Sequence, residues 1–201
     1  MIPAVLAAPR DPLRMRSSTR LPCYLISGLV LAGALVLLVM GRSPICPCGT
    51  IRLWNGVVMG PENSQQLSDW YTPSHVIHGF LFYWALAFLL PGMAFRWRLL
   101  IATLVEVAWE IVENTDMVID RYRAVTVSLD YYGDSVLNST SDVLFMMLGF
   151  WLASRLPVWL SVAIAIGFEL ATTILIRDGL ALNVLMLLWP SETIRLWQAG
   201  G

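Results

Sequence analysis

Apolar and polar positions fall along this chain in blocks. Residues 21–40 form a first apolar run, and 41–72 are a polar stretch rich in Pro, Gly, Asn and Ser. Further apolar runs cover 73–90, 97–114, 134–152 and 157–176. A helix needs about 20 apolar residues to cross the hydrocarbon core of a bilayer, so the pattern predicts five transmembrane helices. The second opens at "YTPSHVIHG". Thr72 suits an N-cap there, and Pro73 the first helical position, where its missing N–H costs nothing. Pro91-Gly92 ends that helix, residues 115–133 read as a link, and Ser154–Pro157 make a short turn. At the C-terminus "ALNVLMLLWP" is too short to span and "SETIRLWQAGG" is amphipathic, which puts this segment at the interface or partway back into it. A cleaved signal peptide is the rival reading of 21–40, but "VMGRSP" lacks a small-x-small cleavage pattern, which favours a retained anchor.

Composition supports the same class. Of 201 residues, 57% are hydrophobic and 13% charged, about half the charged share of a soluble domain. An all-α polytopic bundle over 21–201 follows, as one domain preceded by a mobile basic tail over 1–20. All thirteen basic residues are Arg. The formal net charge is -1 and no basic stripe lies beyond the tail, so no nucleic-acid footprint is expected. Arg10, Arg14, Arg16 and Arg20 precede the first helix, Arg96 and Arg98 separate the second from the third, and Arg155 separates the fourth from the fifth. Placing these segments inside leaves the N-terminus cytoplasmic, with 41–72 and 115–133 outside.

Ionisable residues interrupt the apolar runs in register. At 100° per residue, Glu106, Glu110 and Glu113 of "VEVAWEIVENTD" share one narrow helix face. Asp134, Asn138 and Asp142 of "DSVLNSTSD" follow at i, i+4 steps, His75 and His78 lie one turn apart, and Glu169 sits in the fifth run. In the five-helix topology these groups converge on the outer half of the membrane, with Glu106, Asp142 and Glu169 roughly 10–12 Å below the surface. An acidic residue at mid-membrane costs roughly 2.5–3.5 kcal/mol, so several together must be paired, protonated, hydrated or bound to a cation.

A divalent-metal site fits these donors. His75, His78, Glu110, Glu113 and Asp134 are expected as outer ligands, with Glu106, Asn138, Asp142 and Glu169 deeper as ligands or proton carriers. Two imidazoles with carboxylates suit Zn, Mn or Fe. The chain has 2 His, which excludes a three-His zinc site and leaves no spare imidazole for a Ser–His base. A structural polar network is the competing reading of Asn138, Ser139, Ser141 and Asp142, although hydrogen bonds between membrane helices return only about 0.6–2 kcal/mol. Arg121 and Arg123 read as a solvated loop or as contacts for a lipid phosphate. Trp70, Tyr71, Tyr131 and Tyr132 read as an interfacial aromatic belt. Cys23 is expected to be buried and inert. In "CPCG" a Cys46–Cys48 disulfide would close a very small ring, with a metal-handling pair or a bond to a partner as alternatives.

"GRSPICPCGTIRLW", "SDWYTPSHVIHG", "EVAWEIVENTD" and "YYGDSVLNSTSD", in that order, resemble a family of uncharacterised multi-pass membrane proteins seen mainly in alphaproteobacteria. The likeness covers roughly 20–160, leaving out the N-terminal tail, within which Met15 is an alternative start, and the C-terminal segment. A weaker likeness is to YjdF-type and VanZ-like membrane proteins. The resemblance implies an inner-membrane location and no assigned activity.

Three function classes remain. The leading one is a metal-dependent hydrolase or transferase acting on a lipid-linked substrate, with Glu106, Glu110 and Asp142 catalytic and metal-bound water as nucleophile. The second is a proton or cation transporter using the column Glu106, Glu110, Asp142 and Glu169, although the chain shows no inverted repeat. The third is a non-catalytic membrane assembly factor. Substrate, metal identity and oligomeric state are not encoded legibly.

Overall fold

The computed structural model describes residues 20–126 and 128–200. The tail expected over 1–20 lies, but for Arg20, outside the described residues. Those described form an all-helical fold of eight helices without strands: α1 (Leu21–Val39), α2 (Thr72–Leu89), α3 (Phe95–Glu113), α4 (Asp116–Val125), α5 (Val136–Ala153), α6 (Val158–Ile176), α7 (Leu180–Leu188) and α8 (Glu192–Gln198). The five long helices stand where the apolar runs predicted them. Three of them, α1, α5 and α6, are long and apolar enough to cross a membrane. α2 and α3 match them in length, but α2 carries the His pair and α3 carries Arg96, Arg98 and three Glu. α6 buries only Ser161 and Thr172, and Leu35, Trp159, Ile166, Leu170 and Ile174 of α1 and α6 point outward. Apolar surface on that scale is rare on a soluble monomer.

Two close approaches set the bundle. α2 packs on α5 and α1 on α3. A Cβ on Gly79 would lie 2.2 Å from the Met146 carbonyl oxygen, and one on Gly149 2.2 Å from that of Val76. The α2 and α5 backbones therefore touch, the small-residue contact that membrane helices use in place of a hydrophobic driving force. Around it Val76, Phe80, Tyr83, Ala102, Met146, Phe150 and Ala153 form the main core. Gly33 of α1 faces Val107 of α3 in a similar way, its absent Cβ 2.7 Å from a Val107 methyl.

The loop after α1 holds the start of α5. Backbone N–H groups of Ser135, Val136 and Leu137 donate to the carbonyls of Ser64, Ser43 and Pro44 at 3.0, 2.8 and 3.1 Å. The unpaired donors of a helix N-terminus are thus satisfied by chain seventy or more residues away. Gln65 Nε2 donates to the Gly133 carbonyl (2.8 Å) and Ser135 Oγ to that of Gln65 (3.0 Å).

Several local expectations are corrected. Thr72 is not the N-cap of α2. It lies in the first turn, and its Oγ1 accepts from the Asp69 N–H at 2.9 Å, a local bond that outcompetes capping. α5 begins at Val136 because the Ser135 side chain caps it, accepting from the Asn138 N–H at 3.1 Å. Asp134 therefore precedes the helix instead of sharing a face with Asn138 and Asp142. The link over 115–133 contains α4, and the C-terminal segment divides into α7 and α8. Cys23 is exposed, because α1 turns its Pro22, Ile26, Gly33 and Leu37 face inward. Cys46 and Cys48 are joined to each other, and neither is free for a metal or a partner thiol in this form.

Candidate functional site

Three helix ends meet at one end of the bundle. α2 contributes its first two turns, α3 its last two, and α5 its beginning, so helical period and direction alone bring His75, His78, Glu106, Glu110, Glu113 and Asp142 together. His75 is the hub. Its Nδ1 lies 2.7 Å from Glu106 Oε1 and 3.6 Å from Glu110 Oε1, and its Nε2 lies 3.7 Å from Asp142 Oδ2. His78 Nδ1 lies 3.1 and 3.2 Å from the two Glu106 oxygens. An ionised carboxylate only accepts, so both imidazoles donate Nδ1–H to Glu106, which orients His75 Nε2 toward Asp142. This is how carboxylates orient metal-binding histidines.

Glu110 and Asp142 Oδ1 have no such hydrogen bonds. Glu106 is 0% and Glu110 2% exposed. Both Glu110 oxygens and Asp142 Oδ1 lack any hydrogen-bond partner. An unpaired buried charge costs several kcal/mol, and among the described residues three unpartnered carboxylate oxygens collect in this cluster. Among the described residues, ligand atoms of His75, His78 and Glu106, of His75, Glu110 and Asp142, and of Glu110, Glu113 and Asp134 lie within 4.8 Å of one another in each set.

Asp134 reaches the cluster from the loop. Its Oδ2 accepts from Asn114 Nδ2 at 2.9 Å while its own N–H donates to Asn114 Oδ1 at 2.7 Å. Burial pushes its carboxyl up to about 6, against the lowering effect of the Asn114 bond. Asn138 lines the cavity but commits its amide nitrogen to the Gln66 carbonyl at 2.8 Å. Glu169 stands apart. Its two oxygens accept from the Leu180 and Ala181 N–H groups, both at 3.0 Å, capping α7. That duty removes it from the expected column of deep ligands and proton carriers.

A cavity of about 310 Å³ opens beside the cluster. His75, His78, Glu106, Glu113, Asp134 and Asp142 form its polar wall, and Phe82, Val105, Trp109, Leu180, Val184 and Leu187 its apolar one. α7 is held over it by Arg121, whose guanidinium donates to the Leu187 carbonyl at 3.0 and 3.2 Å. Arg121 thus lies in helix α4 instead of a loop, still exposed, and caps the C-terminal end of α7. Arg123 donates to the Leu129 carbonyl and lies 4.6 Å from the Tyr132 ring centroid. Tyr71 and Tyr131 also line the cavity, which corrects their placement in an aromatic belt. Tyr131 OH is buried without a partner, and Tyr71 OH donates to Asp178 at 2.9 Å.

Sequence reasoning missed Gln66, Asn114, Trp109, Tyr122 and Tyr131. Asn114 was findable, because it follows Glu110 at i+4 and Asp134 needs a donor. The loop and link residues carry no periodic signal.

Comparison with known proteins gives a family and no chemistry. The family profile described as "Protein of unknown function (DUF2585)" matches residues 37–200, so the likeness extends past 160 through the C-terminal segment. A "UPF0314 protein" of Paracoccus denitrificans is 64% identical over 194 residues, 96% of this chain and 99% of that relative. Relatives from Sinorhizobium fredii and Rhizobium meliloti are 56% and 55% identical, each over 98% of its own length and 97% and 98% of this chain. No solved structure matches.

Proposed function

The chain belongs to the DUF2585 (UPF0314) family of alphaproteobacteria, and from that premise we propose that it is a five-span inner-membrane protein carrying a divalent-metal centre. Its N-terminus is cytoplasmic and the centre opens toward the periplasmic half of the bilayer. Here α2 and α3 cross alongside α1, α5 and α6, their polar residues turned to the bundle interior, as intramembrane charges require. The distribution of Arg near the helix ends supports the orientation.

One observation carries the metal reading: Glu110 is buried with both carboxylate oxygens unpartnered, between His75 and Asp142. A cation coordinated by His75, Glu110 and Asp142 supplies what those oxygens lack. Glu106 then acts from behind, fixing the tautomer of both imidazoles. One nitrogen with carboxylate oxygens suits Zn, Mn or Fe. The cavity beside the centre, mostly apolar with one polar wall, fits hydrolysis or group transfer on a lipid-linked substrate. Glu106 and Asp142 on that wall and Glu110 behind it are the catalytic carboxylates, and a bound cation would supply the activated water.

Elemental analysis of protein extracted in mild detergent tests this, wild type beside His75→Ala/His78→Ala and Glu106→Gln. At least one ion per chain, lost in the double variant and weakened roughly 10–100-fold in affinity by Glu106→Gln, is the expected result. Wild-type protein that is folded by circular dichroism and takes up no Zn, Mn or Fe would overturn it.

A further inference from the structure

We propose that this centre is dinuclear, with Glu110 bridging a second, harder cation held by Glu113 and Asp134. The inference rests on the metal reading above and adds to it a site made entirely of oxygen ligands. Oxygens of Glu110, Glu113 and Asp134 lie within 4.8 Å of one another, and Glu110 is the single residue this set shares with His75, Glu110 and Asp142. A bridge needs two free oxygens on one carboxylate. Glu110 has them, for neither Oε1 nor Oε2 has a hydrogen-bond partner.

The surroundings of the second set are those of a site. Asp134 is fixed by its reciprocal pair of bonds with Asn114 at 2.9 and 2.7 Å, the second shell that a ligating carboxylate needs. The Tyr131 hydroxyl, 5% exposed by residue and lacking a partner, lines the same cavity. The three residues of this set supply only carboxylate oxygens, so its cation is of the oxygen-preferring class, Mg²⁺ or Mn²⁺.

Charge balance favours two ions over one. Glu106, Glu110, Glu113, Asp134 and Asp142 bring five carboxylates, and no Arg lines the cavity. With every carboxylate ionised and both imidazoles neutral, one divalent ion leaves three negative charges in a buried cluster, and two leave one. Carboxylate-bridged ions stand about 3.5–4 Å apart, close enough for two Mn²⁺ to couple magnetically.

The test is Mn²⁺ loading of the full chain in detergent, with bound metal counted by elemental analysis and spin coupling read by electron paramagnetic resonance. Wild type is expected to hold two Mn²⁺ per chain with a broadened, coupled spectrum. Glu113→Gln, at the half-buried end of α3, is expected to hold one with the six-line spectrum of an isolated ion. Asp134→Asn should repeat this, and Glu113→Gln carries the test if that variant does not fold. One Mn²⁺ in wild type, lost in His75→Ala/His78→Ala and unchanged in Glu113→Gln, overturns the second site while leaving the metal centre standing. Two uncoupled ions overturn the bridge, and no bound metal at all overturns both readings.

Discussion

Replacing Gly149 by alanine tests whether the α2–α5 contact positions the site. The new Cβ would start 2.2 Å from the Val76 carbonyl oxygen, where real Cβ contacts stay beyond 3.0 Å. The obstacle is backbone, so no side chain can rotate away, and the two helices must part by about 0.8 Å. His75 adjoins Val76, and Asp142 lies two turns before Gly149, so the separation falls on the 3.7 Å gap between His75 Nε2 and Asp142 Oδ2. Ligand constellations tolerate about 0.5 Å of error. Overpacking of this kind costs roughly 1–3 kcal/mol, a fall of roughly 2–12 °C in unfolding midpoint for a chain of this length. Circular dichroism melting in detergent and metal content are the assays. Gly28→Ala and Gly167→Ala are the controls, since an added Cβ at either meets nothing within 4 Å. We predict a lower midpoint and loss of metal in Gly149→Ala, with metal content unchanged and the midpoint no lower in either control. A Gly149→Ala protein with wild-type midpoint and full metal content would refute the argument that glycine contact sets the site.

Three further outcomes are expected. Asp178 is buried, accepts from Tyr71 OH, Gly179 N–H and Gln198 Nε2, and is pushed by burial up to about 6 with Glu169 nearby adding to the rise. The folded state therefore holds its proton between about pH 4 and 6 while the unfolded state releases it, so its contribution falls by roughly 3 kcal/mol as pH rises through that window; the wild-type minus Asp178→Asn difference in midpoint should shrink with rising pH, and a flat difference would remove Asp178 as the cause. Ser135→Ala loses a cap bond from Asn138 N–H and a bond to the Gln65 carbonyl, a cost of roughly 1–2 kcal/mol that denaturant midpoints would read; no change would mean the loop carbonyls alone hold α5. Maleimide labelling in detergent should modify Cys23 alone until a reductant is added, after which Cys46 and Cys48 follow, and three labels without reductant would contradict the pairing.

The long helices were legible because each is a run of about 18 or 19 residues punctuated by Pro, Gly or Arg. α4 was not, although Ile119, Tyr122 and Val125 are its buried face at i, i+3 steps. Three apolar positions among charged neighbours resemble an exposed link until α7 is known to pack there. α7 is nine residues long and apolar but for Asn183, too short and too uniform for a periodicity to be read. In the site, His75, Glu106 and Glu110 could be paired from helical spacing, because spacing fixes the face and run direction fixes the depth. Glu169 shows where that logic breaks. Depth counted along α6 ignores the turn after Ile176, which brings the α7 N-terminus back onto the carboxylate and gives it backbone donors. Gln66 and Tyr131 were invisible because their roles depend on tertiary docking alone.

The electrostatics of the three helix ends narrow what completes the centre. α2 and α5 present N-termini there and α3 a C-terminus, so the macrodipoles sum to about half a positive charge. Each N-terminus favours a carboxylate by about 0.3–1 kcal/mol while the α3 C-terminus opposes it, well short of the several kcal/mol that burying one costs. The N-terminal donors of α5 are moreover taken up by loop carbonyls and Ser135, so they do not reach Asp134 or Asp142. Protons or cations must supply the rest. A proton would cancel the charge of Glu110 but would occupy one of its two unpartnered oxygens. A cation would use both oxygens at once, which is why the proposed metal reading centres on Glu110.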